Sequence, residues 1–291
     1  MFSKPSFLFL VLLFSALTLD AKSLLFKLST ASSTVYILGS IHLAKPELYP
    51  LESAIEEAYE KSGVLVVELD AQSRKSMSVM QNTVARLGRY PKGKSLRSEL
   101  SSATYDALQR YTNRAGIVLE TLEQMRPWVV MLQLSITEMQ RLGYSPRLGI
   151  DKHFIDRAKQ ERKPILALET IEEQMALLSR EEKHYQEKLL RYSLASMSEM
   201  EPMLNELSAS WKNGDAKAME QMLLLSMQND ASLKDLYDDF VTRRNYKMTE
   251  KINALLRSER DYFVVVGAAH VIGKEGIVGL LEKRGYKVVQ K

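Results

Sequence analysis

Four short runs in this chain are almost uninterrupted sequences of apolar residues. They lie at residues 35–38, 64–69, 165–168 and 263–266. Continuous apolar runs of this length are typical of strands that are covered on both faces, whereas strands with one solvated face alternate apolar and polar residues. A fifth short run at residues 287–289 follows the turn sequence RGY. The runs predict a sheet buried between layers of helices.

Helical patterns separate these runs. Leu and Met recur at helical spacing from about residue 73 to 143 and from about 172 to 257. Two stretches, residues 34–69 and 262–289, share the order strand, Gly-x-x-His, helix, strand, and each is long enough for a parallel crossover. The sequence therefore predicts an α/β fold with a mixed or mostly parallel sheet, two related strand–GxxH–helix–strand units and a large helical insertion or subdomain.

The first residues have the pattern of a secretory signal peptide. Lys4 precedes an apolar stretch of about thirteen residues, which is too short to span a bilayer comfortably as a helix. We predict a signal peptide at residues 1–21, a single domain at 22–291, and an exported protein that is periplasmic or extracellular after cleavage. An uncleaved signal anchor is the alternative. No later segment reads as a transmembrane helix.

Composition excludes several classes of site. The chain contains no cysteine, so disulfides, thiolate metal ligands and cysteine nucleophiles are ruled out. Its formal net charge is +4, but the charges are interspersed, and no block of like charge indicates a nucleic-acid partner. The expected partner is a peptide or a small-molecule substrate; oligomeric state is left open.

Histidine is rare in the chain, yet two of its four histidines occur in the repeated Gly-x-x-His pattern. His42 and His270 both follow a predicted strand, behind a glycine that we expect to permit a tight turn, and Glu68 ends another strand. Because ligands bind beyond the carboxyl ends of strands in open α/β sheets, we expect these side chains to converge. Two histidines and a carboxylate are a common ligand set for Zn²⁺, Mn²⁺, Co²⁺ or Fe²⁺.

Other interpretations of these residues stay open. A histidine after a strand can be an ordinary turn residue, and Glu68 can belong to a buried ion pair. In a metal site, Glu68 can be a ligand or the general base. Glu169 ends the strand at 165–168, but the sequence ETIEEQ is also typical of the acidic, capped first turn of a helix.

One arginine falls on the apolar side of a predicted helix. Arg244 is four residues from both Phe240 and Met248, within an otherwise apolar stripe. An arginine in that position usually has a carboxylate partner or faces a pocket. We predict that Arg244, with the adjacent Asn245, polarises a substrate carbonyl or stabilises an oxyanion; a structural arginine with an exposed head group is the alternative.

At these residues the sequence resembles the TraB/GumN family, which includes the Tiki metalloproteases. The resemblance runs from residue 35 to about 289. It is carried by both Gly-x-x-His motifs, the YPL after the first, Glu68, and the stretches LGIDKHF, KPILALET…Q and LYDDFVTRRNYKM. It implies an α/β fold with a metal-dependent hydrolytic site at the two motifs and the glutamate, and, for Tiki-like members, a protease that uses Mn²⁺ or Co²⁺.

The resulting expectation is a secreted or periplasmic metal-dependent hydrolase, a peptidase, that activates water on a divalent metal. His42, His270 and Glu68 are the expected metal ligands, and Glu68, Arg244 and Asn245 the expected catalytic residues. Two alternatives belong to other classes: a non-catalytic protein that sequesters a peptide or signal, and a protein that handles metal or haem iron.

Overall fold

The computed structural model describes residues 23–225, 227 and 230–291, so the predicted signal peptide lies outside the described residues. The six strands of the sheet have the order β4-β3-β5-β2-β1-β6. They are β1 Leu25–Ser29, β2 Thr34–Ser40, β3 Val64–Val67, β4 Ile165–Ala167, β5 Tyr262–Gly267 and β6 Val288–Gln290.

The sheet is mixed and mostly parallel. β2, β5, β3 and β4 are parallel neighbours. β1 is antiparallel to both β2 and β6, so β6 runs in the same direction as β2. In both predicted strand–helix–strand units the second strand thus runs parallel to the first, as a crossover connection requires. The predicted α/β class is confirmed.

Two strands differ from the prediction. β1 was not predicted, because its short LFKLS sequence is interrupted by Lys27 and its strand form depends on pairing with β2 and β6. β4 was predicted to be covered on both faces, which is wrong. It is an edge strand, and Leu166 is 46% exposed.

Helices fill the connections. The α-helices that lie wholly within the described residues are α1 Ser53–Lys61, α2 Arg74–Leu87, α3 Leu96–Glu99, α4 Ser102–Ala115, α5 Pro127–Arg141, α6 Ile150–Glu161, α7 Ile171–Leu178, α8 Lys183–Ser196, α9 Met200–Lys212, α10 Ala216–Glu220, α11 Lys234–Tyr237, α12 Arg243–Leu255, α13 Ala268–Val271 and α14 Ile277–Lys283. Gln221–Leu225 and Asp238–Thr242 are π-helical. Helices α2 to α6 lie between β3 and β4, and α7 to α12 between β4 and β5. None of the helices in the described ranges could cross a bilayer.

One large apolar cluster joins the sheet to both helical segments. Close to the sheet, the rings of Tyr59, Phe154 and Phe263 pack with centroids 4.8–5.7 Å apart, which ties α1 and α6 to β5. On α9, the Trp211 indole N–H donates to the carbonyl oxygen of Gly39 at 2.6 Å. The helical segment that contains Trp211 thereby contacts the end of β2, where the first Gly-x-x-His motif begins.

Candidate functional site

The ends of β2, β3 and β5 bring together the three side chains that the sequence singles out. A Cβ built on Gly267 would stand 3.4 Å from Glu68 Oε2, 3.5 Å from His270 Cδ2 and 3.5 Å from His42 Nε2. These three atoms therefore lie within about 7 Å of one another. The three strands are parallel neighbours, so their carboxyl ends share one edge of the sheet.

The two motif glycines do not have the role that the sequence suggests. Both were expected to permit a tight turn, but neither has a positive φ. A Cβ on Gly39 would stand 2.5 Å from a Leu24 methyl carbon and 3.2 Å from the Ala268 Cα, so Gly39 is needed for close packing. Gly267 leaves open the point on which the side chains converge. The turn explanation is wrong for both positions.

His270 is held in one tautomer by its neighbour on α12. The Asn245 amide nitrogen donates to the Glu275 carbonyl at 2.8 Å, so the amide oxygen is the end that faces His270 Nδ1, at 2.6 Å. Nδ1 is therefore the protonated nitrogen, and Nε2 presents its lone pair 3.8 Å from Glu68 Oε2. Burial lowers the pKa of His270 to about 4, so the ring is neutral at pH 7.

The first turn of α6 packs against the loop that carries His42. The Ile150 N–H donates to the Ile41 carbonyl at 3.0 Å. A Cβ on Gly149 would stand only 2.3 Å from the His42 carbonyl oxygen, so this approach requires glycine. Asp151 Oδ1 then lies 3.2 Å from His42 Nδ1. Each histidine thus has a partner at Nδ1. The free nitrogen Nε2 lies beside Gly267 in His42 and near Glu68 in His270.

The charges around His42 favour its protonated form. Loss of hydration disfavours that form, but the contact with Asp151 and the negative charges of Asp151 and Glu68 outweigh this effect and raise the pKa of His42. Asp151 was not among the residues predicted from the sequence. The signal that could have found it is its position in LGIDKHF, one of the stretches that carry the family resemblance.

Glu68 belongs to a buried network of charges. Its Oε2 accepts from the Gly267 N–H at 3.1 Å, and its Oε1 accepts from Gln174 Nε2 at 3.0 Å and from the Arg244 guanidinium. Glu169 accepts from the same Gln174 nitrogen at 3.0 Å and from Arg244 Nε at 2.9 Å. The sequence left open whether Glu169 belongs to the site or to the first turn of a helix. In the structure Glu169 precedes the cap of α7 and joins the site through these hydrogen bonds.

The network keeps Glu68 ionised. Burial acts to raise the pKa of Glu68, but His270, Arg244 and His42 and the Gly267 N–H outweigh it and lower the pKa to about 2. At neutral pH the carboxylate is available as a negatively charged oxygen ligand and is a weak base.

Arg244 reaches the cluster from α12, as expected, but its donors are largely occupied. They contact both Glu68 and Glu169, and Nη1 donates to the Phe240 carbonyl at 3.1 Å. Asn245 uses both ends of its amide, on His270 and on Glu275. These contacts favour a role in holding the site together over the predicted contact with a substrate carbonyl.

His42, His270 and Glu68 are the side chains that could hold a divalent metal. In the part of the chain that the structure describes, no group of three or more His, Cys, Asp or Glu side chains is already arranged for that purpose. The donor chemistry fits nonetheless: His42 Nε2, Glu68 Oε2 and the edge of the His270 ring border one point, and the 3.8 Å between His270 Nε2 and Glu68 Oε2 is close to the spacing that ~2.0–2.2 Å bonds impose.

Comparison with known proteins places this arrangement in a family. The profile of the TraB/PrgY/gumN family matches residues 24–290. The uncharacterized protein YbaP of Escherichia coli strain K12 is 26% identical over 247 residues, which cover 84% of this chain and 87% of YbaP.

More distant relatives carry the name metalloprotease. A "Metalloprotease TIKI homolog" of Nematostella vectensis is 24% identical over 87% of this chain and 64% of its own length. "Metalloprotease TIKI2" of Xenopus tropicalis is 22% identical over 87% of this chain and 57% of its own length. No solved structure matches the chain. The family profile spans almost the whole described chain and both Gly-x-x-His motifs, and the chain therefore belongs to the TraB/PrgY/gumN family.

Proposed function

We propose that this chain is an exported, metal-dependent hydrolase that cleaves peptides with the aid of a divalent ion, Mn²⁺ or Co²⁺. The observation that carries the proposal is the convergence of His42, Glu68 and His270 on the open point beside Gly267. The relatives named metalloproteases support a hydrolytic reaction. Export is proposed from the sequence of residues 1–21 alone.

Both proposed histidine ligands are oriented for an ion by their neighbours. Asn245 holds His270 with its Nε2 lone pair free, and Asp151 occupies Nδ1 of His42. Partners of this kind orient ligating histidines in many metal sites. A bound divalent ion supplies Lewis acidity, which polarises a carbonyl and makes water acidic enough to react near neutral pH.

We assign Glu68 as a ligand, not as the general base. A general base works best when its pKa lies near the working pH, whereas the pKa of Glu68 is about 2. Arg244 keeps this carboxylate ionised and oriented. Arg244 therefore acts through Glu68 in this proposal.

Metal content and activity of matched variants test the proposal. Wild type purified with Mn²⁺ or Co²⁺ should hold about one ion per chain and cleave a fluorogenic peptide library, and a chelator should abolish cleavage until metal is restored. His42→Ala and His270→Ala should lose both the ion and the activity. His184→Ala, at an exposed position on α8, is the matched control and should keep both.

Other outcomes support the alternative classes. Peptide binding without cleavage at any metal concentration would indicate a sequestering protein, in which case the hydrolase proposal fails. A haem absorbance band that appears on titration and is lost in His42→Ala would indicate haem-iron handling. Activity that survives both histidine substitutions and the chelator would rule out the metal mechanism.

A further inference from the structure

Two cavities adjoin the candidate site and meet at Gln174. The first has a volume of about 380 Å³ and includes His42 and Glu68 in its lining; the second, of about 370 Å³, includes Glu169 and Arg244. Gln174 is the residue that lines both. Each volume is near the lower end of the ~300–1,000 Å³ that is typical of ligand cavities.

The two cavities differ in chemistry. Half of the residues that line the first cavity are apolar, among them Leu43, Val67 and Ile155, whereas the second has only Ala176 and Leu177. The second has charged side chains at its rim, among them Lys247, whose side chain is 68% exposed and lies 3.9 Å from the nearest carboxylate oxygen of Glu173. A ligand that fills both must therefore combine an apolar part with a polar or charged part.

The orientation of the Gln174 amide is fixed by its partners. Nε2 lies 3.0 Å from a Glu68 oxygen and 3.0 Å from a Glu169 oxygen. Carboxylates that are ionised only accept hydrogen bonds, so the NH₂ end must face them. The amide oxygen is therefore directed away from both carboxylates, and no hydrogen bond to it is found among the described residues.

We infer that Gln174 is a substrate-binding residue whose amide oxygen accepts a backbone N–H of the substrate. The substrate is then an extended peptide segment that lies across Gln174, with an apolar side chain in the first cavity and the following residues in the second. A single amino-acid derivative fits one cavity and leaves the other side of Gln174 uncontacted. This inference rests on the proposed peptidase site.

Substrate length gives the first test. The kcat/KM of wild type for its best internally quenched octapeptide should exceed that for the arylamide of the same cleaved residue by at least tenfold, because only the octapeptide occupies both cavities. Equal values for the two substrates would overturn the two-cavity inference while leaving a metal-dependent hydrolase in place.

Methylation of single amide nitrogens of the octapeptide gives the second test. A net hydrogen bond contributes ~1 kcal/mol, so methylation at the position that faces Gln174 should reduce kcat/KM about fivefold in wild type. In Gln174→Met the same methylation should have no effect, since the acceptor is gone. Gln72→Met, which alters a glutamine that lines the first cavity only, should retain the fivefold ratio.

The ratio of kcat/KM for the unmethylated and methylated peptides, measured with the same enzyme, separates substrate binding by Gln174 from a purely structural role. Gln174→Met also removes two donors to Glu68 and Glu169, but any resulting loss of activity cancels between the methylated and unmethylated peptides. Where the variant cleaves too slowly, the ratio is taken from the affinities of the two peptides. Equal sensitivity to methylation in wild type and Gln174→Met at every position would overturn the inference. If wild type binds the unmethylated peptide about fivefold more tightly than the methylated one but cleaves neither, the role of Gln174 in binding is supported and only the hydrolase proposal is contradicted.

Discussion

The two histidines of the repeated motif differ in the residue that contacts Nδ1 of the ring. His270 contacts the neutral amide of Asn245, and burial keeps the ring uncharged. His42 contacts the carboxylate of Asp151, which favours the protonated ring. An ion would therefore bind to His270 without displacing a proton, whereas binding to His42 requires its ring to lose one.

Replacement of Asp151 tests whether this carboxylate orients His42. Asp151→Asn should weaken metal affinity about 10- to 100-fold, the range found when such partners of ligating histidines are changed. The measurement is a calorimetric titration of the metal-free protein with Mn²⁺. Asp156→Asn, on the same helix and paired with Lys152, is the matched control. An unchanged affinity in Asp151→Asn would remove Asp151 from the site.

At the scale of the secondary-structure elements, the junction of β5 and α13 shapes the site. Gly267 ends β5 with φ −51° and ψ 138°, a conformation that an alanine adopts without strain. A Cβ there would meet its nearest neighbours at 3.4–3.5 Å, which is ordinary van der Waals contact. Backbone conformation and packing in the metal-free chain thus do not require glycine at this position.

Gly267→Ala should separate metal binding from folding. The added methyl would occupy the point on which His42, Glu68 and His270 converge, so metal affinity should fall more than 100-fold. The free energy of unfolding should change by no more than ~1 kcal/mol, because alanine also restricts the unfolded chain. Gly63→Ala, where a Cβ has only one distant neighbour, at 3.9 Å, is the control. Normal metal binding by Gly267→Ala would contradict the proposed site.

At the scale of the whole molecule, the site depends on segments that are far apart in the sequence. The proposed ligands His42, Glu68 and His270 lie just beyond the ends of β2, β3 and β5, while α6, α7 and α12 supply Asp151, Gln174 and Arg244. An ion that joins these elements binds the folded chain and not the unfolded one. It must therefore stabilise the fold by mass action.

Thermal unfolding should report this linkage and its pH dependence. At a metal concentration of ~100 Kd the stabilisation is ~2.7 kcal/mol, which corresponds to a rise in Tm of roughly 5–10 °C for a chain of this size. Since the pKa of His42 is raised, protons compete with the ion through the neutral range, and the rise should shrink as pH falls from 8 to 5. His270→Ala should show no rise at any pH, and a rise that is independent of pH would exclude histidine ligands.

Much of the fold could be predicted because its signals are local. Continuous apolar runs indicated five of the six strands, and the inward position of Arg244 followed from helical spacing alone. The convergence of His42, Glu68 and His270 needed one further rule, that parallel neighbouring strands end at the same edge. β1 was missed because its strand form depends on the strands beside it.

Contacts between distant segments were beyond such reasoning. Residue type and spacing are enough to nominate a histidine after a strand or an arginine on an apolar stripe. They do not say that Asp151 meets His42, that Gln174 bridges Glu68 and Glu169, or that Asn245 turns its amide oxygen toward His270. Gln174 is 106 residues from Glu68 in the sequence, and even Asn245 is 25 residues from His270. Such contacts arise only when the helices pack onto the sheet, because the direction of each side chain then depends on the packing of the whole core rather than on its neighbours in the chain.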